Sequence, residues 1–190
     1  MRKLIHVPIV HGPEDLGTQL EAVRKAYVSR LGIRAWHQHL MRIEQFWNEV
    51  RQRFRPLRAQ AQKLRIYQDG LPVCGQEIEL ARQLAAQGSR NHRLLVELVE
   101  AGAVLVGTED PELLRQEHAR AGRAEGVAEA ASAARYDDLM EARDRYVAGR
   151  IDVTLAEPEL GLLFMGALHR VVEKLPSDIQ VVRLGAKTSY

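Results

Sequence analysis

The sequence is poor in cysteine and in aromatic residues. Of its 190 residues one is cysteine, Cys74, and 5% are aromatic. A single thiol excludes an internal disulfide and any zinc site that depends on several cysteine thiolates. The sequence also lacks a signal-peptide core and the apolar run of roughly 18 residues that a membrane span needs. We therefore expect a cytoplasmic protein without a membrane segment.

Familiar nucleotide-binding and catalytic motifs are missing as well. The sequence has no Gly-rich dinucleotide fingerprint after a strand, no phosphate loop with Gly-Lys-Ser/Thr and no Gly-x-Ser-x-Gly nucleophile elbow. Its 27 Lys and Arg residues nearly balance 25 Asp and Glu residues, for a formal net charge of +2. Because this excess is small, nucleic acid is an unlikely main partner, and a small-molecule substrate is expected instead.

What the sequence does contain is a set of short apolar runs, typical of buried strands, that each lead to a histidine or an acid. Residues 4–10 lead to His11, residues 65–68 to Asp69, residues 103–108 to Glu109, and residues 161–168 to His169. If these runs are neighbouring parallel strands, their carboxyl ends gather the four side chains at the edge where ligands bind in open α/β sheets. His6, inside the first run, is expected to pack in the core.

Helical patterns separate these runs, and residues 178–184 resemble a fifth strand. This alternation predicts an α/β fold with a single domain over residues 1–190, in which a mostly parallel sheet of about four to five strands is flanked by helices. Residues 119–134 are rich in alanine, which predicts a weakly anchored, mobile or interrupted helix. Residues 184–190 are expected to form a loose tail.

The longest helical region covers residues 18–55, with a predicted break at Gly32. Between residues 36 and 54, apolar side chains recur at spacings of three and four and form one seam. This seam could pack in the core or join two copies into a homodimer. Arginines concentrate over residues 34–65, either as a solvated face or as a site for phosphate or nucleic acid, and their role stays open.

The residues expected at the sheet edge are suited to metal-assisted hydrolysis. Imidazole and carboxylate groups bind zinc or manganese, and an open coordination position would activate water. His11 and His169 with one of Asp69, Glu109 or Glu14 would make a three-ligand site. A remaining acid, Asp69 or Glu109, would then be the general base. The structural alternative is that the acids form turns and caps and that each histidine bonds to the backbone.

The C-terminal third carries an Arg-Asp pair at 143–144 and, after an apolar run, Gly-Ala-Leu-His at 166–169. This pattern, together with His11 after the opening strand, resembles the superfamily of erythromycin esterases, haem-binding ChaN-like proteins and TraB/Tiki proteins. In those proteins an Arg-Asp or Arg-Asn pair opens a helix, and a strand ending in Gly-x-x-His follows. The resemblance implies a site built from His11, Arg143, Asp144 and His169. Arg143 would orient an anionic substrate group or hold a carboxylate.

These features predict a metal-dependent hydrolase that acts on a small ester, amide or phosphoester at the carboxyl ends of the strands. Two alternatives remain open. The first is a non-catalytic or regulatory protein that binds haem or a nucleotide-like ligand in the same cleft. The second is a scaffold that dimerises through residues 36–54. The substrate itself is not indicated by any motif.

Overall fold

The computed structural model describes residues 1–17, 20–121 and 129–184, and the side chains of these residues except 120–121 and 129–135. The described residues form five strands and six α-helices. The strands are β1 (Arg2–Pro8), β2 (Leu64–Gln68), β3 (Val104–Val106), β4 (Leu160–Met165) and β5 (Ile179–Arg183). The α-helices are α1 (Leu20–Leu31), α2 (Ile33–Phe54), α3 (Glu77–Ala86), α4 (Arg90–Glu100), α5 (Pro111–Ala121) and α6 (Glu129–Thr154).

The five strands make one sheet in the order β3-β2-β4-β1-β5, and every neighbouring pair is parallel. In the centre of the sheet, Leu162 of β4 lies between Ile5 of β1 and Ile66 of β2. This confirms the predicted α/β fold with a parallel sheet. It also confirms that the four apolar runs are neighbouring strands, so their carboxyl ends share one edge.

Contacts along the chain group into two compact units. One, the sheet unit, consists of Met1–Pro8, Lys63–Glu77 and the described part of Val104–Tyr190. The other, the helical unit, consists of the described part of Ile9–Gln62 together with Ile78–Ala103. The prediction of a single domain over residues 1–190 therefore stays a prediction.

In the sheet unit, α6 covers one face of the sheet. Its apolar side chains recur at helical spacing and pack with strand residues that point to the same face. This core contains Leu4, Tyr67, Val106, Val147, Ala148, Ile151, Leu155, Leu163, Met165, Val171 and Ile179. Burial of each large aliphatic side chain contributes about 1.5–3 kcal/mol, which anchors α6 over the sheet. The same face includes His6, which is 6% exposed, as predicted for a core histidine.

In the helical unit, the predicted break at Gly32 is confirmed. Gly32 has a φ of 86°, a left-handed conformation that favours glycine, and it separates α1 from α2. The apolar seam of α2 is buried within the chain, and the indole Nε1 of Trp47 donates to the carbonyl oxygen of Val10 at 2.9 Å. The seam therefore packs in a core, and a homodimer through residues 36–54 gains no support from it.

Two helix starts that the sequence predicts from their N-cap residues are confirmed. The Ser89 side chain accepts a hydrogen bond from the His92 amide at the start of α4. The Asp110 carboxylate accepts one from the Glu112 amide at 2.7 Å, with Pro111 as the first residue of α5. Such caps satisfy amide groups that have no partner within the helix.

Two predictions concern residues that the structure covers only in part or not at all. Of the alanine-rich stretch 119–134, residues 122–128 lie outside the described residues, as do residues 185–190 of the predicted tail.

Within the part of the chain that is described, no helix combines the length and the apolar character required to cross a membrane.

Candidate active site

The carboxyl ends of β2, β3 and β4 bring together three of the predicted site residues. Asp69 directly follows β2, Glu109 lies in the segment after β3, and His169 lies in the segment after β4. One side-chain ligand atom from each lies within 4.8 Å of the others. The sheet unit thus assembles two carboxylates and one imidazole from three distant parts of the chain.

His169 reaches this cluster through a turn. The predicted strand over residues 161–168 is too long, because β4 ends at Met165. The chain then turns, and the His169 amide donates to the carbonyl oxygen of Gly166 at 3.2 Å. This turn brings the imidazole back over the end of the sheet, whereas a longer strand would have carried it away.

Gly166, the first residue of this turn, lies directly against the site. Its amide donates to Oδ2 of Asp69 at 3.1 Å. A Cβ atom at this position would lie 3.0 Å from the same oxygen and 3.7 Å from the His169 ring. An added Cβ would therefore require the Asp69 carboxylate to shift by a few tenths of an ångström, whereas its distance to the His169 ring is an ordinary van der Waals contact.

Helix α6 supplies Arg143, which binds the carboxylates of Glu109 and Asp69. Its Nε and Nη2 donate to the two carboxylate oxygens of Glu109 at 2.9 and 2.6 Å, and Nη2 also donates to Asp69 at 3.2 Å. Its Nη1 lies 2.7 Å from the carboxylate of Glu117 on α5. This two-point pairing uses the planar guanidinium fork. The predicted role of Arg143 in holding a carboxylate matches this geometry.

Asp144, the next residue on α6, binds His169. Nδ1 of the imidazole lies 2.6 Å from one oxygen of Asp144, and the other oxygen accepts a hydrogen bond from the Arg170 amide at 2.6 Å. On the far side of the ring, Nε2 lies 3.4 Å from Oδ1 of Asp69. The imidazole therefore lies between two carboxylates. The Arg-Asp pair lies within α6, whereas in the family it resembles such a pair opens a helix.

The carboxylates hold the imidazole in its charged form. Burial lowers the pKa of His169, but the hydrogen bonds to Asp144 and Asp69 outweigh burial and raise this pKa to about 9. Burial likewise raises the pKa of Asp69, and here the opposing hydrogen bond and charge of His169 and the charge of Arg143 lower it to about 2. At neutral pH both groups of this pair are ionised.

The cluster carries more negative than positive charge. Four carboxylates, from Asp69, Glu109, Glu117 and Asp144, contact two cationic groups, Arg143 and protonated His169. With all of them ionised, two negative charges remain uncompensated within the cluster. Glu109 is fully buried and the Arg143 side chain is 3% exposed. Such buried charges are costly unless paired, and they concentrate at functional sites.

Two predicted metal ligands lie outside this cluster. His11 follows β1, which ends at Pro8, and belongs to the helical unit rather than the sheet unit. Glu14 lies in the 3-10 helix Pro13–Asp15 of the same unit, where its Oε1 is 3.5 Å from Nε of Arg90. In the described part of the chain, the group that could hold a metal ion is Asp69, Glu109 and His169. The ligand roles of His11 and Glu14 stay predictions.

Sequence reasoning missed Glu117, and it named Gly166 as part of the Gly-x-x-His pattern without its contact to Asp69. Glu117 is a single acid on a helix, and nothing in its surroundings in the sequence distinguishes it from an exposed glutamate. Gly166 had a usable signal, since a glycine directly after an apolar strand often marks a place where another group approaches the backbone.

No family model, curated protein or solved structure matches this chain. The geometry of the cluster alone therefore carries the functional argument.

Proposed function

We propose that this cluster is the active site of a hydrolase for a small ester, amide or phosphoester, with His169 as the group that transfers protons. The observation that carries the proposal is the 2.6 Å contact between Nδ1 of His169 and Asp144. A carboxylate at Nδ1 fixes the ring orientation and leaves Nε2 as the atom that exchanges protons.

Asp69 is the group beside His169 that is best placed to meet water. Its side chain is 16% exposed, more than those of Arg143, Asp144 and His169, so water can reach it. The Asp69 carboxylate would accept a proton from water as the water oxygen attacks the carbonyl carbon or phosphorus. Nε2 of His169 would donate its proton to the leaving group, and the proton on Asp69 would then pass to Nε2. This exchange restores both groups.

Arg143 is a positioning residue in this scheme. It donates to Oδ1 of Asp69 and to Glu109 but transfers no proton itself, because a guanidinium stays protonated in proteins. Its positive charge helps to keep the pKa of Asp69 low, and its Nη2 holds Oδ1 of Asp69, the same oxygen that Nε2 of His169 contacts. The substrate would meet Asp69 and His169, whereas Arg143 and Glu109 would set their positions.

A specific observation favours a metal-dependent version of the same reaction. The ligand atoms of Asp69, Glu109 and His169 lie within 4.8 Å of one another, and the cluster has uncompensated negative charge. Zinc or manganese held there would polarise the substrate or activate water. Arg143 would have to release Glu109, both of whose oxygens it engages, and Asp144 would orient the histidine ligand. Haem binding stays a prediction from the resemblance.

The test compares hydrolysis of p-nitrophenyl acetate, p-nitroacetanilide and bis(p-nitrophenyl) phosphate, with and without chelator. For His169→Gln and Asp144→Asn we expect losses of about 10²–10⁴-fold in kcat, because the proton-transfer group is removed or misdirected. The matched control is His37→Gln, an exposed histidine on α2. It should retain wild-type activity.

The outcomes separate the two versions. Activity that survives chelation and disappears in His169→Gln supports proton transfer by His169. Activity that requires added zinc or manganese supports the metal-dependent version. If the wild-type protein turns over none of the three substrate classes, with or without metal, the hydrolase proposal is wrong.

A further inference from the structure

A second concave surface lies in the helical unit, where α2 and α4 end. It is a groove of about 390 Å³, lined by residues of the last turn of α2, of the 3-10 helix Arg55–Lys63 and of α4. Its volume is within the range of small-molecule sites. All lining residues belong to the helical unit, so the groove does not involve the catalytic cluster.

The groove combines an apolar floor with a cationic rim. Phe54, Leu94 and Leu98 form the floor and are almost fully buried. The rim carries Arg51, Arg55 and Arg58, whose side chains extend toward water. Apolar walls beside a few charged groups are typical of sites for small organic ions.

Glu97 orders part of the rim without neutralising it. It accepts two hydrogen bonds from Arg51, at 3.1 and 2.6 Å, and lies 3.8 Å from Nη1 of Arg58. Among the residues that the structure describes, no hydrogen bond or ion pair involves the guanidinium of Arg55. Three guanidinium groups line the groove beside one carboxylate, which two of them share, so two positive charges remain available in the groove.

Stabilisation of helix ends does not explain this arrangement fully. Basic side chains favour the last turn of a helix, because they interact with its negative end. That accounts for Arg51, which lies in the last turn of α2. Arg55 and Arg58 lie beyond α2, in the following 3-10 helix, yet they turn toward the same groove.

We propose that this groove is a binding site for a small organic phosphomonoester, with its phosphate on the arginine rim and its organic part over the apolar floor. A phosphomonoester carries about −1.5 to −2 charges at neutral pH, which matches the two uncompensated positive charges. A carboxylate would leave one of them unmatched. Guanidinium groups also bind phosphate oxygens in pairs.

The test is calorimetric titration of the full chain with adenosine 5′-monophosphate and with inorganic phosphate. Both should bind saturably, the nucleotide more tightly because its organic part adds contacts within the groove. Arg55→Gln and Arg58→Gln should each weaken nucleotide binding by about tenfold or more, since each removes a charged hydrogen-bond donor. Arg53→Gln, an exposed α2 arginine that does not line the groove, is the matched control and should bind as wild type.

Two results would overturn the proposal. One is the absence of saturable binding of either probe at millimolar concentration. The other is an equal loss in Arg53→Gln and Arg55→Gln, which would indicate attraction to the general positive charge of α2 and not to the groove. In the His169→Gln background, Arg55→Gln should still weaken nucleotide binding, which separates this site from the cluster around His169 whether or not the hydrolase proposal holds.

Discussion

Two arginines, at opposite ends of the same sheet, each hold acids from distant parts of the chain. At the amino end, Arg2 of β1 binds Asp178, just before β5, at 2.7 Å and Asp152 on α6 at 2.7 Å. At the carboxyl end, Arg143 binds Glu109 and Asp69. The two sets use the same chemistry, but their surroundings differ.

The difference is access to water. Asp152 and Asp178 are 48% and 55% exposed, so water screens their attraction to Arg2 and can replace it if the arginine is lost. Arg143 and Glu109 are almost fully buried, so neither can turn to water. At the amino end, Arg2 links β1 to α6 and to the residue before β5. At the carboxyl end, Arg143 belongs to a buried polar cluster at the edge where α/β sheets usually bind ligands.

The largest expected effect tests the buried arginine. Arg143→Met should lower the free energy of unfolding by about 3–5 kcal/mol, because the buried Glu109 carboxylate loses its cationic partner and keeps the Gly70 amide, at 3.2 Å, as a donor. Urea denaturation measures the loss. The double variant Arg143→Met with Glu109→Leu should recover much of it, since both charges are then absent. If the double variant is no more stable than Arg143→Met, burial of an unpaired charge is not the cause.

The next effect is a pH dependence from His169. Its pKa is raised to about 9 in the folded protein, above the ordinary value of 6.5. The stabilisation is complete below pH 6.5 and is lost as pH rises through 9, with a magnitude on the order of 3 kcal/mol. Denaturation curves measured from pH 6 to pH 10 should show this decline. His169→Gln should lack it, and an identical decline in that variant would contradict the assignment.

The smallest effect is expected at the amino end. Arg2→Met should reduce stability only slightly, because Asp152 and Asp178 regain water when the arginine is lost. Arg2 lowers the pKa of Asp178, so its contribution is present above the ordinary pKa of that carboxyl and declines as pH falls. Denaturation in low and high salt provides the measurement. A loss as large as that of Arg143→Met would remove the contrast between the two ends.

Local sequence signals were sufficient for much of the fold. Gly32, Ser89 and Asp110 marked helix boundaries because capping and backbone freedom depend on a few neighbouring residues. The apolar runs predicted strands, and their alternation with helices predicted a parallel sheet. Strand length was less predictable. β1 stops at Pro8, well before His11, and β4 stops at Met165, because strand length depends on pairing with the partner strands.

For the site, the residue types were predictable and their partners were not. Asp69, Glu109 and His169 were recognisable because each follows an apolar run, and the geometry of parallel sheets places such positions at one edge. The bond between Asp144 and His169, and the contribution of Glu117, depend on how α5 and α6 lie over that edge. The resemblance grouped Arg143, Asp144 and His169 in one site, but no local pattern indicated that Asp144 would bind Nδ1 of His169.

By itself, the sequence determined the elements and the edge at which polar side chains would collect, because hydrophobic periodicity and capping act over a few residues. The tertiary structure decided which of those side chains meet and how deeply they are buried. Burial and proximity set the charge state of His169 and the cost of losing Arg143. Both quantities depend on distances between residues far apart in the chain, so only folding establishes them.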